Sequence, residues 1–163
     1  MMLNNITVLG IDPGLVKTGW GIIRKNGYYY EYVDCGVIKT DSDDTMEKRL
    51  TLIYDNLHRL IDTYQPNEIS MEEVFVNINP KSSQKLIMAR TAAFISASKK
   101  GYKVNEYTPN EIKKNITGRG HADKNQVYTM IQKILKVEIE TNASTRTMDS
   151  MDAIAVALCH AFR

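Results

Sequence analysis

Cysteine occurs only twice in the 163 residues, tryptophan once and phenylalanine three times. Cys35 and Cys159 lie far apart and match no zinc-ligand spacing, so a reduced intracellular pair of small buried apolar residues is expected rather than a disulfide or a zinc site. No stretch reaches the roughly 18 apolar residues that a membrane span requires. Met1 to Asn5 carries no basic stretch ahead of a signal-type apolar run, so a cytoplasmic protein with no membrane partner is expected. Repeats, low-complexity tracts and linkers are also lacking. With 43% apolar residues, the length supports one substantial core, and residues 1–163 read as a single domain.

The net charge of +2 hides an asymmetry. Residues 1–80 hold 7 basic against 12 acidic side chains, whereas residues 81–163 hold 14 against 7. A polyanion lying across one side of the molecule fits that distribution, although solvated surface lysines account for much of any such count.

Along the chain, Ile6 to Asp12 is a short apolar run closed by Pro13-Gly14, which predicts a buried strand delivering Asp12 at its carboxyl end. Gly19 to Arg24 and Tyr28 to Ile38 flank Asn26-Gly27, a hairpin signal, so the first three strands are expected to form an antiparallel meander. Asp44-Thr-Met-Glu47 reads as a capping box before Leu50, Ile53, Leu57, Leu60 and Ile61 at helical spacing. A strand over Ile69–Val76 follows. Asn79-Pro80 then opens a helix ended by Gly101, bearing the small residues Ala89, Ala92, Ala93, Ser96 and Ala97. Val104 to Tyr107 reads as a strand, Thr108 and Asp123 as the heads of two capping boxes, and Thr147 to Phe162 as a last helix with Met151, Ile154, Ala155 and Leu158 as its inward stripe. The order predicts a mixed α/β sheet flanked by helices.

A carboxylate on an apolar strand costs several kcal/mol, of order, unless it is paired, neutralised or metal-bound. Asp12 therefore needs partners. Strand alternation turns Glu72 and Ser70 to one face and Glu73 to the other, and the spacing of Asp149 and Asp152 places both on one helix face a turn apart. No basic residue falls inside these three segments, so a divalent cation is the natural reason to gather the four acids, and oxygen-only ligands favour magnesium or manganese over zinc. Two such ions about 4 Å apart suit phosphodiester hydrolysis, one activating water and the other stabilising the leaving 3′ oxygen. Singly, Asp149 reads as a helix-dipole carboxylate and Asp12 as a turn residue; the set of four is what argues for a site.

Gly10-Ile-Asp-Pro-Gly14 with Thr18-Gly19, Glu72 before Val74-Phe75, and Asp149-Ser-Met-Asp152-Ala resemble the RuvC Holliday junction resolvases, and the resemblance runs over essentially the whole chain. It includes Lys85 and Arg90, Lys113 after Pro109, and Lys124 in Gly120-His-Ala-Asp-Lys124-Asn-Gln126-Val. It implies an RNase H-like fold, with a mixed five-stranded sheet of three antiparallel then parallel strands carrying helices on both faces. It further implies a homodimer that makes two symmetric nicks in opposing strands of a four-way DNA junction, and that works with RuvA and RuvB. By motif position the resemblance implies Asp12, Glu72, Asp149 and Asp152 as the catalytic metal ligands, for Mg2+ (with Mn2+ as substitute), two ions per site. The resemblance further implies Lys113 and Lys124 near the scissile phosphate or junction backbone, and Phe75 as an aromatic that stacks on opened bases. Lys85, Arg90 and Arg119 complete the expected DNA contacts, Arg119 from the loop Thr117–His121 ahead of a helix N-terminus. The small-residue face of helix 81–100 is expected at the dimer interface, with burial inside one chain as the alternative.

Two other readings share features of the sequence. Asp12-Pro-Gly14 with Thr18-Gly19 resembles the first phosphate loop of actin-like ATP-binding domains, whose two-domain architecture exceeds this length. A noncatalytic junction-binding or RNA-processing protein on the same scaffold is the other. Nicking of a labelled junction against ATP turnover separates them.

Overall fold

The computed structural model describes residues 5–74, 80–141 and 145–163. Five strands, β1 (Asn5–Asp12), β2 (Lys17–Asn26), β3 (Tyr29–Lys39), β4 (Glu68–Glu72) and β5 (Val104–Tyr107), form one sheet in the order β3-β2-β1-β4-β5. β1, β2 and β3 pair antiparallel, β4 and β5 join parallel, and the β2–β3 hairpin turns at Gly27 with φ 61°. The mixed sheet expected from the sequence is therefore present. β4 ends at Glu72; Glu73 and Val74 of the expected strand are not part of it, and residues 75–76 lie outside the described residues.

Alternation along β1 sorts the two faces. Leu9 and Ile11 join Ile22, Ile69 and Met71 beneath α1 (Met46–Tyr64) and α2 (Pro80–Lys99). Val8 joins the opposite core with Ile23 and Tyr107, covered by α3 (Pro109–Thr117), α4 (Lys124–Leu135) and α5 (Met148–Ala161). Helices thus lie on both faces.

Three local expectations need correction. Thr45, not Asp44, caps α1, accepting from the Lys48 amide, while Asp44 takes the Lys48 ammonium at 2.5 Å. An aspartate that finds a lysine one turn on has less reason to fold back on the helix end. Second, α5 has no inward stripe: every residue from Ser150 to Ala161 except Asp152 is buried, because the helix is wedged between the sheet and α3/α4. Third, the small-residue face of α2 packs against α1 of the same chain, with Ala89, Ala93 and Ala97 fully buried and the Ser96 hydroxyl donating to the Tyr54 carbonyl at 3.2 Å. That face is internal and is not a surface for a second copy. The capping boxes at Thr108/Glu111 and Asp123/Gln126 are both formed.

α5 lies unusually close to the sheet because β1 and β2 present glycines beneath it. A Cβ on Gly10 would overlap the Ala153 carbonyl oxygen and press to 2.7 Å from the Ala157 nitrogen, and one on Gly19 would overlap the Asp149 carbonyl. At its far end α5 is tied down by His160, whose Nδ1 is 2.7 Å from the Tyr107 hydroxyl and whose Nε2 meets the Glu68 carboxylate.

Candidate active site

The parity that buries Val8 against α5 also turns Gly10 and Asp12 toward it, and the same parity on β4 aims Ser70 and Glu72 there. Ser70 is fully buried and donates to the Val156 carbonyl of α5 at 3.3 Å. Opposite them stands the N-terminus of α5. Thr147 caps it, its hydroxyl accepting from the Asp149 amide at 3.3 Å and lying 2.9 Å from Asp149 Oδ2. A carboxylate in a first helical turn is favoured by the helix dipole, and Asp152 follows one turn on, on the same face.

Asp12, Glu72, Asp149 and Asp152 consequently line one cleft of about 430 Å³. Its other wall is basic: α3 contributes Lys113 and α4 contributes Lys124, over an apolar floor that includes Ile112, Val127 and Ala155. All four carboxylates are half-buried.

Crowding acids in a half-dry cleft raises the cost of ionising them. Burial, followed by repulsion from Glu72, Asp152 and Asp149, pushes the Asp12 carboxyl from 3.8 up to about 8. Burial and Asp152 raise Glu72 as well, although the Lys124 charge and a hydrogen bond with Asp12 pull it partly back. Without a cation, then, Asp12 holds a proton through neutral pH and shares it with Glu72.

Each remaining acid is engaged by a neighbour. Lys124 Nζ is 2.9 Å from Asp152 Oδ2, and the Tyr128 hydroxyl donates to Asp152 Oδ1 at 2.8 Å. Among the described residues, no three acidic, histidine or cysteine side chains are drawn in closely enough to ligate one ion. The donor set still fits a hard divalent cation: it is all oxygen, and its negative charge is so poorly compensated that one member stays protonated.

A sign follows for stability. Asp12 is protonated in the metal-free fold at pH values where the unfolded chain has already released that proton, so its contribution is complete below about pH 3.8 and lost as pH rises through about 8. In chelator the protein should therefore lose up to a few kcal/mol between about pH 4 and pH 8. Urea unfolding across that window reads the loss, and Asp12→Asn should flatten it; a variant with the wild-type slope would mean that Asp12 is already ionised.

The expected DNA contacts divide. Lys113 and Lys124 border the cleft. Arg119 is exposed in the α3–α4 loop and is not part of the cleft's lining. Arg90 is turned inward, paired with Glu106 and lying 4.7 Å from the Phe94 ring centroid, and Lys85 borders a separate cleft beside Leu15. Phe75 lies outside the described residues. Two residues that sequence reading overlooked, Tyr128 and Thr147, hold Asp152 and Asp149. Tyr128 was discoverable as the residue four after Lys124, on the same helical face.

The family described as "Crossover junction endodeoxyribonuclease RuvC" matches residues 8–160. The protein of that name from Ehrlichia canis (strain Jake) is 46% identical over 159 residues, covering 96% of this chain and 97% of the relative. That from Wolbachia pipientis wMel is 41% identical over 158 residues, covering 96% and 94%. The structure "T. thermophilus RuvC in complex with Holliday junction substrate" superposes with a TM-score of 0.87 at 28% identity, covering 96% of this chain and 93% of the other.

Proposed function

The chain belongs to the RuvC family of crossover junction endodeoxyribonucleases, and we propose from that premise that it resolves Holliday junctions, hydrolysing phosphodiesters to make symmetric nicks in opposing strands. The observation that carries the reading is the single cleft in which four half-buried carboxylates from three separated segments face two lysines. Four acids, of which only Asp152 is paired with a lysine, are ill suited to binding an anionic backbone alone. They suit one whose charge a divalent ion offsets.

Asp12, Glu72, Asp149 and Asp152 would hold that ion, Mg2+ with Mn2+ as a substitute and two per site. Bound there, it supplies charge stabilisation to the reacting phosphate and to the leaving 3′ oxygen. Lys124 and Lys113 orient the phosphate from the opposite wall, as point charges with rotatable donors. Tyr128 keeps Asp152 aimed into the cleft, and Thr147 does the same for Asp149. Burial of the floor by Ile112 and Val127 keeps the local dielectric low, which strengthens each of these interactions.

Incubation with a labelled four-way junction and magnesium should yield paired, symmetric, ligatable nicks, and none in chelator. Binding without nicking would favour a noncatalytic junction protein. Tyr128→Phe removes only the hydroxyl that supports Asp152, and support of this kind is worth roughly 10- to 100-fold in activity. Its cleavage should fall by that factor at limiting magnesium and recover in part at high magnesium; a wild-type metal titration would remove Tyr128 from the site.

Two cuts in symmetric strands call for two sites related by a twofold axis, hence an isologous homodimer. The outer face of α2 is the surface that supports it: Ile87 and Ile95 are 44% and 49% exposed there, beside a cleft containing Leu50, Tyr54 and Met88. Ile95→Glu should sediment as a monomer, and an unchanged dimer would exclude this face. Cooperation with RuvA and RuvB belongs to the same reading. A cytoplasmic location is proposed from membership of this DNA-acting family; separately, no helix of the described residues is long and apolar enough to cross a membrane.

A further inference from the structure

Arg49 is 7% exposed, yet among the described residues no carboxylate lies within 4.0 Å of its guanidinium. Its Nε donates to the Thr40 hydroxyl at 2.8 Å, and one terminal nitrogen makes a long 3.5 Å contact with the Leu15 carbonyl. Neutral acceptors satisfy hydrogen bonds but leave the charge itself uncompensated, and a buried cation without a counter-charge is costly. Of the acids shortly before it in the chain, Asp44 pairs with the Lys48 ammonium, and Asp41 accepts the Asp43 amide at 3.0 Å.

The guanidinium borders a cleft of about 290 Å³ formed where the β1–β2 loop meets the starts of α1 and α2. Lys85, Ser42 and Ser82 line the same cleft, and among the described residues no acidic side chain does. Lys85 is exposed, so its ammonium can meet a ligand from the solvent side. Two cations and two hydroxyls drawn from three separate segments suit an oxyanion with several acceptor oxygens. The cleft is also tied to the carboxylate site through the chain, since Leu15 follows Asp12 by three residues and its carbonyl also accepts the Thr40 hydroxyl at 2.5 Å.

We propose that this cleft is a second phosphate site, which receives a non-scissile backbone phosphodiester of the DNA and has Arg49 as its buried anchor and Lys85 as its outer clamp. The ligand's origin in DNA rests on the junction-resolvase reading; the anion chemistry rests on the cleft alone. Anchored there, the strand would be held in register along the loop that carries Asp12, so Arg49 acts on cleavage by positioning.

The test has two arms, both on the full chain. In the first, thermal unfolding is followed with inorganic phosphate against chloride at matched ionic strength. Wild type should be stabilised by phosphate, and Lys85→Ala and Arg49→Gln should lose most of that shift. In the second, binding to a four-way junction is measured in chelator as a function of salt. Each variant should lower the slope of log affinity against log salt by about 1, and the double variant should lose less than the two effects combined, because both side chains serve one phosphate. Lys85 is at the surface, so its variant carries the test even if Arg49→Gln fails to fold. Wild-type phosphate response and salt slope in Lys85→Ala would overturn the site while leaving junction nicking by wild type intact. Phosphate stabilisation with an unchanged junction slope would overturn the assignment to DNA.

Discussion

Asp12→Asn is expected to abolish junction cleavage while leaving junction binding intact. The substitution keeps the size of the side chain and removes the charge at the point where β1 delivers it to the cleft shared with Glu72, Asp149 and Asp152. Charge stabilisation of a transferring phosphoryl group by a held cation amounts to several kcal/mol. Losing about 4 kcal/mol of it corresponds to a fall of roughly 10³-fold in rate. Lys113 and Lys124 are untouched, and in chelator at neutral pH Asp12 is already protonated, so its replacement leaves the charge facing the backbone unchanged and affinity should equal wild type. Single-turnover cleavage beside a gel-shift titration reads both quantities. Cleavage within tenfold of wild type at ordinary magnesium would sink the four-carboxylate site; lost binding with lost cleavage would mean that Asp12 shapes the surface instead. The same variant should be more stable than wild type without metal at neutral pH, since it escapes the repulsion that drives the Asp12 carboxyl up to about 8.

Gly19→Ala should damage both fold and site through one added methyl group. The new Cβ would overlap the Asp149 carbonyl and lie 3.2 Å from the Ser150 nitrogen, and both obstacles are backbone, which has no rotamer to offer. The N-terminus of α5 must therefore lift from β2. Overpacking of a well-filled core costs about 1 to 3 kcal/mol and occasionally more, and here the rigid obstacle argues for the upper end. For a chain of this size that is a fall of roughly 6 to 12 °C in Tm. Lifting α5 also moves Asp149 and Asp152 away from Asp12 and Glu72, and a misplacement of about 1 Å can cost about 10²-fold in rate. Differential scanning calorimetry and cleavage below the new Tm separate the two effects. A variant with unchanged Tm and rate would show that α5 does not rest on Gly19.

The same glycine marks where sequence reading stops. Thr18-Gly19 was legible as part of a family motif, whereas the reason for the glycine, a helix backbone more than 100 residues away, was not. Periodicity did better with local matters. It placed Asp12 at the end of an apolar strand and turned Ser70 with Glu72 to one face. It also identified Thr108 and Asp123 as heads of capping boxes, each satisfied within one helical turn. It failed where a partner was decisive. The small residues of α2 suited either a neighbouring chain or α1, and only packing chose α1.

By itself, then, the sequence determined which residue types recur at strand and helix spacing, and hence most elements and the identity of the four acids. Those properties depend on neighbours within a turn or two. Tertiary structure alone decided that α5 is buried from Ser150 to Ala161 except at Asp152, that Tyr128 and Lys124 hold Asp152, that Arg90 turns inward to Glu106, and that Arg49 lies buried without a counter-ion among the described residues. Each of these is a contact between segments far apart in the chain, and a one-dimensional pattern carries the faces of an element without the identity of what will cover them.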